Sequence, residues 1–281
     1  MDFRQIFGGR VVTRIGAAMS DMFDHSPGIL DLRDVTVRFG GLVALDSVSL
    51  TVPAGRVTGV IGPNGAGKTT LFNVVCGFIR PQEGELRWRG RTLSRHRPHD
   101  LARLGIARTL QGVGLFSGLT VLENVMTGAD RHARAGFLSD LLALPRADRD
   151  ERALRERALR RLADLGVADT AGRLPGELPY GVQKRVALAR ALVTEPDLLL
   201  LDEPAAGLSA TEIAELADLV RGLRDDLAVV LVEHHMDLVM DVCDRVLVLD
   251  FGKAIAHGTP AEVRDDPAVV AAYLGEEVRG A

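Results

Sequence analysis

The spacing of apolar residues changes along the chain, and the changes predict strands that alternate with helices. From Ile29 to Phe39 apolar residues stand at nearly every second position, and Val48 to Val52 repeats this pattern, which is typical of strands. Short, almost wholly apolar runs follow later, as in parallel strands that are buried on both faces. These runs are Val57 to Ile61, Asp197 to Asp202, Leu227 to Val232 and Arg245 to Leu249, and a shorter strand is predicted from Glu85 to Gly90.

The segment from residue 98 to residue 172 is predicted to be mainly helical. Its clearest helix runs from Asp148 to Gly166, where Asp148 and Glu151 resemble a capping box and Gly166 can end the helix. A further helical segment lies around residues 211–224. The alternation of strands and helices predicts an α/β fold with a parallel-sheet core covered on both faces, an antiparallel β portion and an inserted helical subdomain.

The first 27 residues look separable from the rest of the chain. Apolar residues recur there about every four positions, so they can share one face of a helix that docks on a partner, although Gly8 and Gly9 weaken that helix by roughly 1 kcal/mol each. A frayed tail, or a start at Met19 or Met22, explains the same pattern. The predicted organisation is an extension at 1–27, a main domain at 28–275 (core 28–97 and 173–260, helical subdomain 98–172) and a tail at 276–281.

Composition and charge narrow the possible partners. The 281 residues carry a net charge of −4, which gives no overall basic footprint for nucleic acid. Cys76 and Cys243 each lie in an apolar stretch without metal-ligand or redox spacing, so buried, reduced thiols are expected. No apolar run reaches the ~18–20 residues of a membrane-spanning helix, and the N-terminus lacks a signal-peptide pattern. We therefore expect a soluble protein, or one attached to a membrane only through partners.

A glycine-rich run with a lysine and a threonine is the strongest chemical signal in the chain. It follows the predicted strand Val57 to Ile61, opens into an apolar helical pattern and matches the phosphate-binding loop G-x-x-x-x-G-K-T. The glycines let backbone N–H groups converge on phosphate oxygens, Lys68 can reach the β- and γ-phosphates, and the Thr69 hydroxyl can bind Mg²⁺. This predicts a nucleoside triphosphate site on a P-loop NTPase (RecA-like) core. The run is Gly62-Pro63-Asn64-Gly65-Ala66-Gly67-Lys68-Thr69-Thr70.

Two acidic residues at the end of a predicted central strand are the second signal. Asp202 can hold Mg²⁺ through its water shell, and Glu203 can orient or deprotonate a water aimed at the γ-phosphate. Gln111, in a loop before a Gly-rich turn, and His234, at the end of another strand, are weaker candidates when taken alone. Together with the phosphate loop, the two acids predict chemistry at the γ-phosphate.

In their order along the chain, these motifs resemble those of the ATP-binding subunits of ABC transporters. The resemblance covers roughly residues 29–275. It implies that the nucleotide is ATP, that Gln111 links Mg²⁺ and the attacking water to a transmembrane partner, and that His234 contacts the γ-phosphate. It also implies that Phe39 stacks on adenine, a contact that a phenylalanine ring can make.

The signature segment of the ABC family departs from its usual Leu-Ser-Gly-Gly-Gln in this chain. It reads Leu178-Pro179-Tyr180-Gly181-Val182, so Pro179 replaces the serine whose hydroxyl contributes to the contact with the γ-phosphate of the opposite subunit. By resemblance, Gly181 belongs to that contact. Ser209 likewise stands where the following dimer-contact loop often carries aspartate.

Within the ABC group, the chain looks most like an ATPase subunit of branched-chain amino acid importers. This narrower resemblance rests on Leu178 to Gly181, on the inserted Leu144-Pro145-Arg146 and on three segments of the tail. These segments are Glu233 to Met240, Gly258 to Val263 and Ala272 to Gly275. It implies two permease subunits, a second ATPase subunit that is identical or homologous, a periplasmic or extracellular binding protein acting indirectly, and a peripheral position on the cytoplasmic face of the membrane. Urea importers and the ATPase of lipopolysaccharide export look similar, so they stay open as alternatives.

Two other classes of protein compete with a transport ATPase. A GTPase shares the phosphate loop, but the Asn-Lys-x-Asp run that reads guanine does not occur in the sequence. ABC ATPases of DNA repair insert long coiled coils, and ribosomal ones carry two ATPase domains, for which 281 residues leave no room. A non-transport role on nucleic acid is therefore disfavoured.

Overall fold

A computed structural model of the protein describes residues 28–109, 112–129, 145–224 and 226–279. The predicted extension at 1–27 lies outside the described residues. In chain order, the strands are Leu30–Phe39 (β1), Leu42–Val52 (β2), Val57–Ile61 (β3), Glu83–Trp88 (β4), Arg91–Thr92 (β5), Ile106–Arg108 (β6), Leu198–Asp202 (β7), Ala228–Val232 (β8), Arg245–Asp250 (β9) and Lys253–Gly258 (β10).

Helices lie between and after these strands. They are Lys68–Val75 (α1), Leu101–Leu104 (α2), Val121–Gly128 (α3), Pro145–Asp164 (α4), Tyr180–Leu192 (α5), Ala210–Leu223 (α6), Met236–Val242 (α7), Pro260–Arg264 (α8) and Pro267–Arg279 (α9). Within the described ranges, none of them combines the length and the apolar character that a membrane crossing needs.

The strands form two sheets, and this confirms the predicted fold class. A six-stranded sheet has the order β10-β9-β3-β8-β7-β6, in which all neighbours are parallel except β9 and β10. An antiparallel sheet has the order β2-β1-β4-β5. The parallel sheet is the predicted core, and the other sheet is the predicted antiparallel portion.

Two local predictions need correction. The strand β6 lies inside the segment predicted to be mainly helical. It pairs in parallel with β7, and its apolar residues Ile106 and Ala107 are buried there. The helix α4 begins at Pro145 rather than near Asp148, since proline at the first helical position lacks only an N–H that has no helical partner. The predicted end is confirmed, because α4 stops two residues before Gly166, whose φ is 69°.

Alternate residues of the central strands pack into two different apolar cores. Leu198 and Leu200 of β7 face the core shared with α1 and the antiparallel sheet. Leu199 and Leu201 face the core shared with α3 to α7. The central strands are buried on both sides, and functional groups can therefore be exposed only at the strand ends and in the loops that follow.

Candidate nucleotide site

The loops that follow three neighbouring parallel strands lie together at the carboxyl ends of those strands. Asp202 lies opposite Val232 in the register of β7 and β8, and Val232 lies opposite Val60 in the register of β8 and β3. The phosphate loop begins directly after β3, Glu203 follows β7, and His234 comes two residues after β8. The fold thus brings together residues that are far apart in the sequence. They lie at the carboxyl ends of the strands, where ligands bind in open parallel sheets.

The phosphate loop has a backbone shape that requires glycine. Gly67, directly before α1, has a φ of 106°, and a Cβ there would lie 2.6 Å from the carbonyl oxygen of Ala44. Lys68, the first residue of α1, is 8% exposed. Its Nζ donates hydrogen bonds to the carbonyl oxygens of Gly62 (2.6 Å) and Pro63 (2.8 Å), so the ammonium group is held over the loop itself.

Two side chains with oxygen atoms at this end of the strands, those of Thr69 and Asp202, are suitable ligands for a magnesium ion. Thr69, in the first turn of α1, has an exposed side chain, and Asp202 ends β7 with a 5% exposed carboxylate. A hydroxyl and a carboxylate oxygen are ligands that Mg²⁺ accepts, with waters completing its octahedron. Asn64 and Gly65 of the phosphate loop are also exposed, and solvent therefore has access to this region.

Asp202 has a partner that sequence reasoning missed. Arg108, at the end of β6, donates from Nη2 to Asp202 Oδ2 (2.8 Å) and from Nη1 to Asn73 Oδ1 (3.2 Å). Burial by itself lowers the pKa of Arg108, but the hydrogen bond that Arg108 donates to Asp202 and the charges nearby outweigh this effect, and the pKa is raised. Arg108 therefore stays charged and fixes one oxygen of Asp202. The sequence offers little signal for this contact, because the strand that Arg108 ends has only three residues.

Glu203 is held in an uncommon backbone conformation. Its φ is 47°, its backbone N–H donates to the carbonyl oxygen of Val232 (2.9 Å), and Nζ of Lys184 donates to the carbonyl oxygens of Glu203 (3.3 Å) and Pro204 (2.7 Å). Burial lowers the pKa of Lys184, although the charges of Glu233 and Glu203 oppose that shift. Lys184 belongs to α5, so the helix after the signature segment contacts the chain beside Glu203 directly.

The remaining predicted site residues occupy different places. The side chain of His234 is 53% exposed, and its ring centroid lies 4.5 Å from that of His235. Phe39, 50% exposed, ends β1 in the hairpin whose second strand approaches Gly67. Gln111 lies outside the described residues, and its role stays a prediction.

The signature segment packs against the start of the next helix in this chain. Pro179 precedes α5, and Gly181 in its first turn is buried. A Cβ on Gly181 would collide with Glu212 Oε1, so the carboxylate of Glu212 covers this glycine. Ser209 caps α6: its Oγ accepts from the Glu212 N–H (3.4 Å), a role that serine fills as well as aspartate.

Two protein-family models match parts of this chain. Residues 45–206 match a family model described as ABC transporter. Residues 255–279 match a second model, described as branched-chain amino acid ATP-binding cassette transporter. The first match spans the phosphate loop, the signature segment and the Asp202–Glu203 pair.

Individual relatives and solved structures are similar over most of the chain. The high-affinity branched-chain amino acid transport ATP-binding protein BraF of Pseudomonas aeruginosa is 42% identical over 250 residues, covering 88% of this chain and 98% of the relative. The corresponding protein LivG of Escherichia coli is 40% identical over 253 residues, covering 89% and 99%. A crystal structure of an ATP-binding cassette of an ABC transporter in its ADP conformation has a TM-score of 0.76 at 32% identity, covering 89% of this chain and 100% of that one.

Proposed function

The chain belongs to the ABC transporter ATP-binding family, and from that premise we propose that it is the ATP-hydrolysing subunit of an importer for branched-chain amino acids. One observation supports the catalytic part of this proposal. The phosphate loop, Asp202, Glu203 and His234 all lie at or directly after the carboxyl ends of neighbouring parallel strands. The substrate class is supported by the names of BraF and LivG and by the match of residues 255–279 to the branched-chain cassette model.

In this proposal each residue of the candidate nucleotide site has one role. Lys68 exchanges its bonds to the loop carbonyls for bonds to the β- and γ-phosphates of ATP. Thr69 and Asp202 would hold Mg²⁺, whose charge would offset that of the phosphates. Glu203 orients the attacking water and accepts its proton, and His234 donates a hydrogen bond to the γ-phosphate. Phe39 stacks on the adenine ring.

Two ATPase subunits complete each other's sites in the proposed assembly. The backbone around Gly181 of one subunit contacts the γ-phosphate that the other subunit holds. Gln111 would link Mg²⁺ and the attacking water to the permease. ATP favours the closed pair because it gains contacts there that it lacks in the open pair, and that difference in affinity performs the work. The second subunit is a copy of this chain or a homologue.

We propose that the chain works with membrane permeases, because its relatives BraF and LivG are named as ATP-binding proteins of amino acid transport. We propose two permease subunits, with this chain bound peripherally on their cytoplasmic side and a binding protein delivering the amino acid on the other side. Closure and opening of the ATPase pair then move the permeases, so ATP does not need to contact the transported molecule.

The test is uptake by the reconstituted transporter. The full chain is assembled with candidate permeases, a candidate second ATPase and a candidate binding protein from the same genome, and ATP-driven uptake of labelled leucine and of urea is measured in proteoliposomes. We expect leucine uptake that Lys68→Ala abolishes and that Lys253→Ala preserves, since Lys253 lies on the surface beside Asp46 (3.4 Å). Uptake of urea instead of leucine contradicts the substrate class, and ATP-independent uptake contradicts the ATPase role.

A further inference from the structure

A fully buried carboxylate lies between the two loops that carry the proposed catalytic groups. Glu233 directly follows β8 and is 0% exposed. Its Oε1 accepts a hydrogen bond from the backbone N–H of Ala205 (2.7 Å). Its Oε2 accepts from the backbone N–H groups of His234 (3.1 Å) and His235 (3.3 Å). One side chain therefore joins the loop after β7 to the loop after β8.

The loop after β7 is held from its other side as well. Lys184 of α5 donates to the carbonyl oxygens of Glu203 and Pro204, and Glu203 N–H donates to the carbonyl oxygen of Val232. Glu203 has a positive φ of 47°, which a residue with a side chain adopts stably only where its surroundings impose it. Glu233 supplies the bond at Ala205, directly after this strained segment.

We infer that Glu233 is a positioning residue for hydrolysis, whose carboxylate fixes the backbone of His234 relative to the segment that carries Glu203. The inference rests on the proposed function, in which His234 contacts the γ-phosphate and Glu203 activates water. Both oxygens of Glu233 face N–H donors, so its carboxylate accepts hydrogen bonds from both loops at once. An amide in its place has one acceptor end, and its NH₂ group would face a donor on one of the two loops.

A metal site is the competing interpretation of the same residues. Ligand atoms of Glu233, His234 and His235 lie within 4.8 Å of one another, and Glu233 Oε2 is 3.9 Å from His234 Nδ1. The oxygens of Glu233, however, already accept three backbone hydrogen bonds, and the carboxylate is fully buried. The geometry therefore favours a link between two loops.

The experiment compares Glu233→Gln with Glu233→Asp, which keeps the charge but is one methylene too short to reach both loops. The matched control is Asp244→Asn, because Asp244 also accepts a backbone N–H (Val57, 2.8 Å), at the opposite end of β3. Steady-state hydrolysis of Mg-ATP by the full chain gives kcat and KM, calorimetric titration with ATP gives the affinity, and thermal melting shows that each variant is folded at the assay temperature.

We expect both Glu233 variants to lose at least about tenfold in kcat, because a small misplacement of catalytic groups slows chemistry strongly. KM and ATP affinity should change by less than about twofold, and Asp244→Asn should keep the normal kcat. A normal kcat in a folded Glu233 variant, or a rise in KM alone, overturns the inference. Hydrolysis by the unmodified chain in the same assay tests the proposed function separately.

Discussion

Nη2 of Arg108 lies 2.8 Å from Oδ2 of Asp202, and the two side chains are only 14% and 5% exposed. The pair joins the edge strand β6 to the proposed magnesium ligand at the end of β7. The guanidinium also contacts Asn73 and, at 3.6 Å, the sulfur of Cys76, both from the α1 region. Arg108 thus connects three parts of the core directly beneath the candidate site.

Arg108→Met should destabilise the protein by about 3–5 kcal/mol, because it leaves the buried carboxylate of Asp202 without its charged partner. The free energy of unfolding in urea measures the loss. Arg38→Met should cost much less, since Arg38 and Glu83 are 42% and 59% exposed. In an Asp202→Asn background, Arg108→Met should also cost less than it does alone. Equal losses for Arg108→Met and Arg38→Met would contradict a stabilising buried pair.

Glu203→Gln should preserve ATP binding and lower hydrolysis about 10²–10⁴-fold, the usual effect of losing a general base. The closed, ATP-bound pair should accumulate, which size-exclusion chromatography with ATP detects. Glu195→Gln is a matched control: Glu195 has a similar φ (49° against 47°) but precedes β7 rather than following it. Normal turnover by Glu203→Gln would indicate a different base.

Gly181→Asp should abolish hydrolysis while ATP still binds to the separate subunit. A side chain at this position would intrude on the γ-phosphate of the opposite site, and in its own subunit it would collide with Glu212. Pro179→Ser is the control and should be tolerated, since it restores the usual family residue. ATPase activity of the assembled complex is compared with ATP affinity of the isolated chain. Full activity of Gly181→Asp in a pair of identical subunits would rule out the composite site.

Cys243 should resist alkylation in the folded protein. Burial raises the pKa of its thiol from 9.0 to about 12, and burial also raises the pKa of Cys76. Because thiolate is the reactive form, its population at about pH 8 falls roughly a thousandfold relative to an ordinary thiol. Mass spectrometry after treatment with N-ethylmaleimide, with and without denaturant, tests this. Rapid labelling of Cys243 in the folded chain would contradict it.

The sequence by itself determined those features whose residues are neighbours in the chain. The phosphate loop, the Asp202–Glu203 pair and the central apolar strands each depend on local spacing, since a strand followed by glycines, lysine and threonine has few other uses. The fold class followed from the order of these segments. The strand β6 was missed because three residues are too few for a period, and its pairing with β7 decides its conformation.

Only the tertiary structure decided which side chains support the site. Arg108 and Asp202 are 94 positions apart, and Glu233 and Ala205 are 28 apart. Their contacts depend on strand order β3-β8-β7-β6, which places loops from distant segments side by side. Nothing in the local sequence distinguishes Glu233 from a solvated acid after a strand, because its burial and its hydrogen bonds come from loops elsewhere in the chain.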